Sequence, residues 1–301
     1  MGKDRSRSAE QGSGHPKLWK TVGDEILFCC RLTSLCHLGA CIDAFVEALK
    51  DFGALVRGFE LNTKGNAWVA SFPSPNCSIM PVRAANVFNG DALNGTSDLP
   101  TEENEAKVDL DPSLFDFLGK GIDAGFRISK NSAIDTLTIS PGLGILLAQA
   151  SGSRRITGFN REIRLAEMQV FKGVAESSPY PVLTIDTSRD SRHEELLKRQ
   201  RNLLGQPLPP KDDELEEYLK GYLDYYEIEV PKVKNTFAEQ GFTPPDFYQA
   251  YCDNWHREAA RLEAENQRIV DASTASGDEN GGAVGDEAEL KGIVESLPPV
   301  G

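Results

Sequence analysis

The chain of 301 residues contains no apolar run near the roughly 18 residues that a membrane helix needs. Its first fifteen residues are polar and lack the apolar stretch of a secretory signal. Together these absences predict a soluble protein of the cytoplasm, with no membrane partner. Histidine is scarce, with four copies scattered at positions 15, 37, 193 and 256, so a histidine-ligated metal is not expected. The six cysteines form no paired CxxC units and sit mostly inside apolar segments, which predicts buried, reduced thiols rather than a zinc or disulfide framework. Basic charge is also in deficit. The net charge is −14, of which the stretch from Asp271 to Gly301 supplies −6 through seven acids and one lysine. A nucleic-acid-binding surface is therefore disfavoured, and an anionic substrate would need a local cluster of lysine, arginine or metal.

What is present is enough apolar content, 40%, to bury at least one full core. Residues 1 to 16 are charged and rich in Gly and Ser, and read as a flexible N-terminus. Leu18 to Cys30, LWKTVGDEILFCC, reads as a hairpin turning at Val22-Gly23. From Leu35 the apolar positions Leu38, Cys41, Ile42, Phe45, Val46, Leu49 and Phe52 recur every three or four residues. That spacing predicts an amphipathic helix packed on a sheet, capped by Thr33 or Ser34 and ended by Gly53. GNAWVASFP, from Gly65 to Pro73, reads as a strand, and the polar segment 89–111 as an exposed insertion. DFLGKGIDAGFRISKNS reads as a loop entering a helix; TLTISP and PYPVLTIDTS read as strands, with a helix from Pro141 to Ala150 between them. The alternation defines an α/β layer fold. Residues 190–270 are helix-rich, and 271–301 have the composition of a disordered acidic tail.

Two motifs carry chemistry. WKTVGDEILF resembles the hairpin of class III nucleotide cyclases, whose Lys-Thr-x-Gly-Asp unit supplies a base-contacting lysine and a metal-binding aspartate. In DFLGKGIDAGFRI, Asp116, Asp123 and Arg127 stand at the spacings where that family places a base-selecting aspartate, a transition-state asparagine and a phosphate-binding arginine. FKGVAESSPYPVLTID is similar, more loosely, to the Lys-Gly-Val segment before the last strand of bacterial cyclase domains. The resemblance spans about Leu18 to Thr187. It implies an α+β cyclase-like domain over 17–189, with Lys20, Asp116 and Lys172 binding substrate, Asp123 and Arg127 acting in catalysis, and Asp24 holding metal. Two Mn²⁺ or Mg²⁺ ions per site are implied.

Cyclisation of a nucleoside triphosphate onto its own 3′-hydroxyl needs that hydroxyl deprotonated, charge on the α-phosphate neutralised and the leaving pyrophosphate stabilised. Ions on carboxylates and an arginine meet those needs. Plainer readings remain open: Asp24 as an ordinary turn residue, Asp123 and Arg127 as a surface ion pair worth about 0.3–0.5 kcal/mol, and Lys20 or Lys172 as solvated strand ends. The sequence departs from the family in two ways. Asp123 replaces the asparagine, and the strand bearing the family's first metal aspartate is expected upstream of Lys20 but is missing.

Within the family, GDEILF, GNAWVASFP and GKGIDAGFRI most resemble the pyrimidine cyclases of Pycsar antiphage defence. The resemblance implies a homodimer with interfacial sites, Lys20 and Asp24 of one subunit facing Asp123 and Arg127 of the other. It also implies CTP or UTP as substrate and a companion effector activated by cyclic CMP or cyclic UMP. Lysine only donates hydrogen bonds and ionised aspartate only accepts them, which matches the N3 acceptor and N4 donor of cytosine. Adenine presents the same polarity, so an adenylate cyclase stays open, as does a cyclase-fold protein that binds nucleotide without turnover.

Overall fold

The structure is a computed structural model that describes residues 14–81, 102–187, 191–205, 208–236, 238–239 and 246–275. It is a mixed α/β protein. The Leu18–Cys30 hairpin forms as β1 (Lys17–Val22) and β2 (Glu25–Cys29), antiparallel, with Gly23 and Asp24 as the two turn residues. Gly23 takes a φ of 62°, a left-handed conformation that costs a glycine little. The helix that follows, α1, runs Leu35–Val56. Ser34, not Thr33, is its cap: its hydroxyl accepts from the His37 backbone N–H at 3.1 Å. Gly53 does not end it. That glycine is buried inside the helix, and the chain first turns left-handed at Glu60, after a 3₁₀ turn.

The expected strand GNAWVASFP shortens to β3 (Gly65–Ala67), because Trp68, Ala70 and Phe72 leave the sheet to pack elsewhere. β4 (Cys77–Ile79) follows. Of the segment read as an exposed insertion, residues 89–101 lie outside the described residues. The rest contradicts that reading: α2 (Glu102–Leu110) is a helix that buries Glu105 and Val108. Its hydrophobic pattern is too weak to announce it. DFL, read as loop, is strand β5 (Asp116–Leu118), paired antiparallel with β4, and α3 (Lys120–Ser129) begins two residues later.

Three strands and a helix complete the central layer. These are β6 (Thr136–Ile139), α4 (Pro141–Gly152), β7 (Ile163–Val170) and β8 (Pro179–Asp186). The sheet order is β3-β6-β8-β7, with β3 parallel to β6 and the other pairings antiparallel. β7 is an edge strand exposed along most of its length, so it lacks the alternation that would reveal it in sequence. The hairpin and the β4-β5 pair are separate two-stranded sheets among the described residues, where one layered sheet was expected.

α4 is apolar on all sides and is buried on all sides. Ser140 caps it and Pro141 fills its first turn, where a missing N–H costs nothing. A side chain at Gly144 would run into Leu183 of β8, so glycine permits the close approach of helix to sheet. The core joins Leu137 and Ile139 of β6, Leu183 and Ile185 of β8, Leu146 of α4 and Val46 of α1.

Beyond 189 the chain forms α5 (Ser191–Leu203), α6 (Asp212–Tyr225) and α7 (Asp246–Ala275). The composition changes at 189 but the packing does not, since Leu215, Leu219, Tyr222 and Leu223 of α6 belong to the same core as the sheet. The chain divides into compact units after Trp255 instead. No helix among the described residues is long and apolar enough to cross a membrane.

Candidate active site

The two motifs of the sequence meet in space. A bulge in β1 lets Trp19 drop out of register between Leu18 and Lys20. Bulges re-aim side chains in this way. The Trp19 ring is buried, and its Nε1 donates to the Phe115 carbonyl oxygen at 3.0 Å. That anchor sets the next residue of each strand side by side. Lys20 Nζ lies 2.5 Å from Asp116 Oδ1, a contact between positions 96 apart in the chain, and Nζ also sits 4.4 Å from the Trp19 ring centroid.

α3 rests on the same aromatic cluster. The Trp19 ring lies tilted 4.5 Å from Phe117 of β5 and 6.0 Å from Phe126 of α3, and Trp68 lies 5.4 Å from Phe126. Gly125 faces Trp68 so closely that any side chain there would overlap the indole. The entry to α3 is fixed by buried Asn76, whose Oδ1 accepts from Gly121 N–H at 3.0 Å while its Nδ2 donates to the Ser71 carbonyl at 2.9 Å. Gly119, at φ 141°, leaves room for that asparagine. One turn into the helix, Arg127 Nε donates to Asp123 Oδ2 at 2.7 Å.

The remaining expected residues, Asp24 and Lys172, take no part in these pairs among the described residues. Asp24 is exposed in the hairpin turn. Lys172 is exposed in the turn after β7, flanked by Phe171 and Val174, which are buried in the main core rather than the aromatic cluster. Among the described residues no hydrogen bond or ion pair joins Lys172 to Lys20, Asp116, Asp123 or Arg127. Lys17 steadies the hairpin from its other end: Nζ donates to the carbonyls of Asp109 and Leu110 at 2.7 and 2.8 Å, satisfying the last turn of α2. Arg31 adds an ion pair to Asp109 at 2.6 Å.

One group escaped the sequence reading. Cys30, His37 and Cys41 bring a sulfur, a ring nitrogen and a second sulfur within 4.8 Å of one another. His37 and Cys41 are four residues apart on α1 and so share a face; only the return of the hairpin end adds Cys30. The i, i+4 His-Cys pair was the signal available in sequence. The hydrogen bond with Cys30 and the nearby His37 hold the Cys41 thiol down at about 5, while that bond and burial push Cys30 upward. Hydrogen bonding to Cys41 raises His37 against the opposing effect of burial.

Compared with protein families, curated proteins and solved structures, the chain matches no family model, no curated sequence and no known structure.

Proposed function

We propose that the protein is a pyrimidine nucleotide cyclase, closing CTP ahead of UTP to the 3′,5′-cyclic monophosphate with release of pyrophosphate. The observation that carries this reading is the Lys20–Asp116 contact, which joins the two cyclase-like motifs across 96 positions. A donor-only ammonium beside an acceptor-only carboxylate is the polarity that the N3 and N4 edge of cytosine requires. Substrate binding parts the pair, Lys20 donating to N3 and Asp116 accepting from the N4 amine. Arg127 turns its guanidinium from Asp123 to the phosphates, offsetting charge as it builds on the α-phosphate. Asp123 accepts a hydrogen bond from the ribose and so orients the 3′-hydroxyl for in-line attack.

Asp24, an exposed carboxylate with hard oxygen donors, fits one ligand position of Mn²⁺ or Mg²⁺. Such ions, when bound, supply charge neutralisation and a more acidic hydroxyl. The outer hairpin face supports a dimer, because Leu18, Ile26 and Phe28 remain 47%, 58% and 54% exposed. In that dimer Lys20 and Asp24 of one subunit face Asp123 and Arg127 of the other. The cyclic nucleotide then serves as a signal in antiphage defence, acting on a companion effector.

Incubating the purified protein with Mn²⁺ and each of CTP, UTP, ATP and GTP, followed by mass spectrometry, tests the reading. Cyclic CMP or cyclic UMP is expected. A folded dimer that cyclises none of the four would refute turnover, and cyclic AMP alone would make the protein an adenylate cyclase.

One observation favours a second reading. Arg127 is already engaged by Asp123, at the position where the resembled family carries a neutral asparagine. A cyclase-fold protein that binds nucleotide without turnover would keep that pair closed. Calorimetry showing CTP binding without product identifies this case.

A further inference from the structure

We infer that Cys30, His37 and Cys41 form a zinc site of two thiolates and one imidazole, with water in the fourth position, that clamps the end of the hairpin to the start of α1. The geometry is that of a metal site. The two sulfurs are 4.0 Å apart, and their mutual distances to a ring nitrogen of His37 stay within 4.8 Å. Two sulfurs bound tetrahedrally to one zinc at about 2.3 Å stand about 3.8 Å apart, close to the separation present. A disulfide would need them at about 2.05 Å. Sulfur with imidazole is also the ligand set that selects zinc over magnesium, calcium or manganese, which take oxygen.

The histidine is held as metal-binding histidines are. Its Nε2 lies 3.1 Å from the Gly14 carbonyl oxygen, so a proton on Nε2 is donated there and Nδ1 keeps the lone pair. Nδ1 lies 3.3 and 3.4 Å from Thr33 Oγ1 and N, long contacts that a metal bond would replace. The three ligands come from two places in the chain, the residue just past β2 and the first two turns of α1. They thus tie to the main core a hairpin that, among the described residues, shares no ladder with the four-stranded sheet.

This site is separate from the proposed nucleotide site: its ligands are soft, and none of them is among the residues given roles in cyclisation. The test is metal analysis of the full-length chain purified without chelator, with zinc as the probe. About one zinc per chain is expected, as three protein ligands and a water allow. Cys30→Ser and Cys41→Ser should each weaken zinc binding by at least about tenfold, the loss that even an outer-shell change brings. Cys36→Ser, whose thiol instead faces the carbonyls of Ile156 and Asn235, should retain it. Because a serine variant can fail to fold, the unmodified apo chain is also titrated with Co²⁺. A one-to-one endpoint with thiolate-to-cobalt charge-transfer absorption supports the site. Folded wild-type protein without that absorption, or zinc retained undiminished in both serine variants, overturns it, as does a Cys30–Cys41 disulfide in protein purified under reducing conditions.

Discussion

Two regions of this molecule bury apolar surface by different means. Beneath the four-stranded sheet, aliphatic side chains from β6, β8, α1, α4 and α6 interlock, and Leu137, Ile139, Leu146, Leu183 and Leu219 are fully buried. Beneath Lys20 the buried residues are few, Trp19, Leu27 and Ile122, and half-buried Trp68, Phe72, Phe117 and Phe126 complete the cluster. Aromatic rings bury a large area per residue and contribute about 0.5–1.5 kcal/mol per ring pair beyond that area. A small cluster can therefore hold three chain segments while leaving their charged neighbours, Lys20, Asp116 and Asp123, at the surface. The aliphatic core has redundancy that the aromatic cluster lacks. Damage to the first should unfold the protein, and damage to the second should first misplace the site.

The largest test of that contrast lies in the main core. Phe159 is fully buried against Gly39 of α1, and Phe159→Ala should cost about 3–5 kcal/mol of global stability, read from urea denaturation. Trp19→Ala removes a ring of similar size from the aromatic cluster. Its effect should show as early loss of amide-exchange protection in β1 and β2, with the main unfolding midpoint less affected than by Phe159→Ala. A single transition, equally shifted by both substitutions, would mean that the two regions are one cooperative unit and would break the comparison. Between these in specificity is Gly125→Ala, whose new methyl group must displace Trp68 at about 1–3 kcal/mol. It should tilt α3 and lower the proposed nucleotide turnover more than heat stability.

The same contrast explains what could be read without coordinates. The hairpin and the Ser34-capped helix are short-range features, fixed by turn chemistry and a three-to-four spacing, and they formed where expected, although the turn lies one residue later, at Gly23-Asp24 rather than Val22-Gly23. Features set by tertiary packing were hidden. Gly53 looked like a stop, but its burial in α1 keeps it helical. Trp68 ended β3 early because its ring is claimed by the aromatic cluster. α2 is polar enough to pass for an insertion until burial of Glu105 and Val108 is seen. At the site, Lys20 and Asp116 were legible only as motif positions. The four-residue spacing of Asp123 and Arg127 already placed that pair on one helix face, whereas the Lys20–Asp116 pairing depends on the Trp19 bulge, which no local pattern announces. Cys30 stayed unread for the same reason, since the hairpin alone brings it to His37 and Cys41.

A smaller effect on stability, with a larger one on chemistry, is expected at the surface pair. Lys20 and Asp116 are both more than a third exposed, so their contact should be worth no more than about 1 kcal/mol to the fold. Lys20→Ala should leave the denaturation midpoint nearly unchanged and raise the KM for CTP, which separates a binding role from a structural one. Asp116→Asn replaces an acceptor with a group that can also donate. It should narrow the proposed preference for CTP over UTP by about tenfold, equivalent to roughly one hydrogen bond. An unchanged CTP to UTP ratio would remove Asp116 from base selection.

The smallest effect belongs to Glu105, at the margin between the regions. Its carboxylate is buried against β4, where Ser78 Oγ donates to Oε2 at 2.8 Å while Oε1 has no hydrogen-bond partner among the described residues. Burial raises its pKa above the ordinary glutamate value, and the hydrogen bonds from Ser78 only partly oppose this. The unfolded chain therefore gives up the Glu105 proton at a lower pH than the folded one. The stability this group contributes is complete below the unfolded pKa and is lost as pH rises through the folded value. Glu105→Gln, which is neutral throughout, should be more stable than the parent at pH 8, and the advantage should fade as pH drops below the ordinary glutamate range near about 4. Thermal melts of both proteins across that range decide the point. An advantage that persists unchanged at low pH would assign it to side-chain shape rather than charge, and would leave Glu105 no part in setting how firmly α2 holds β4 beneath the hairpin.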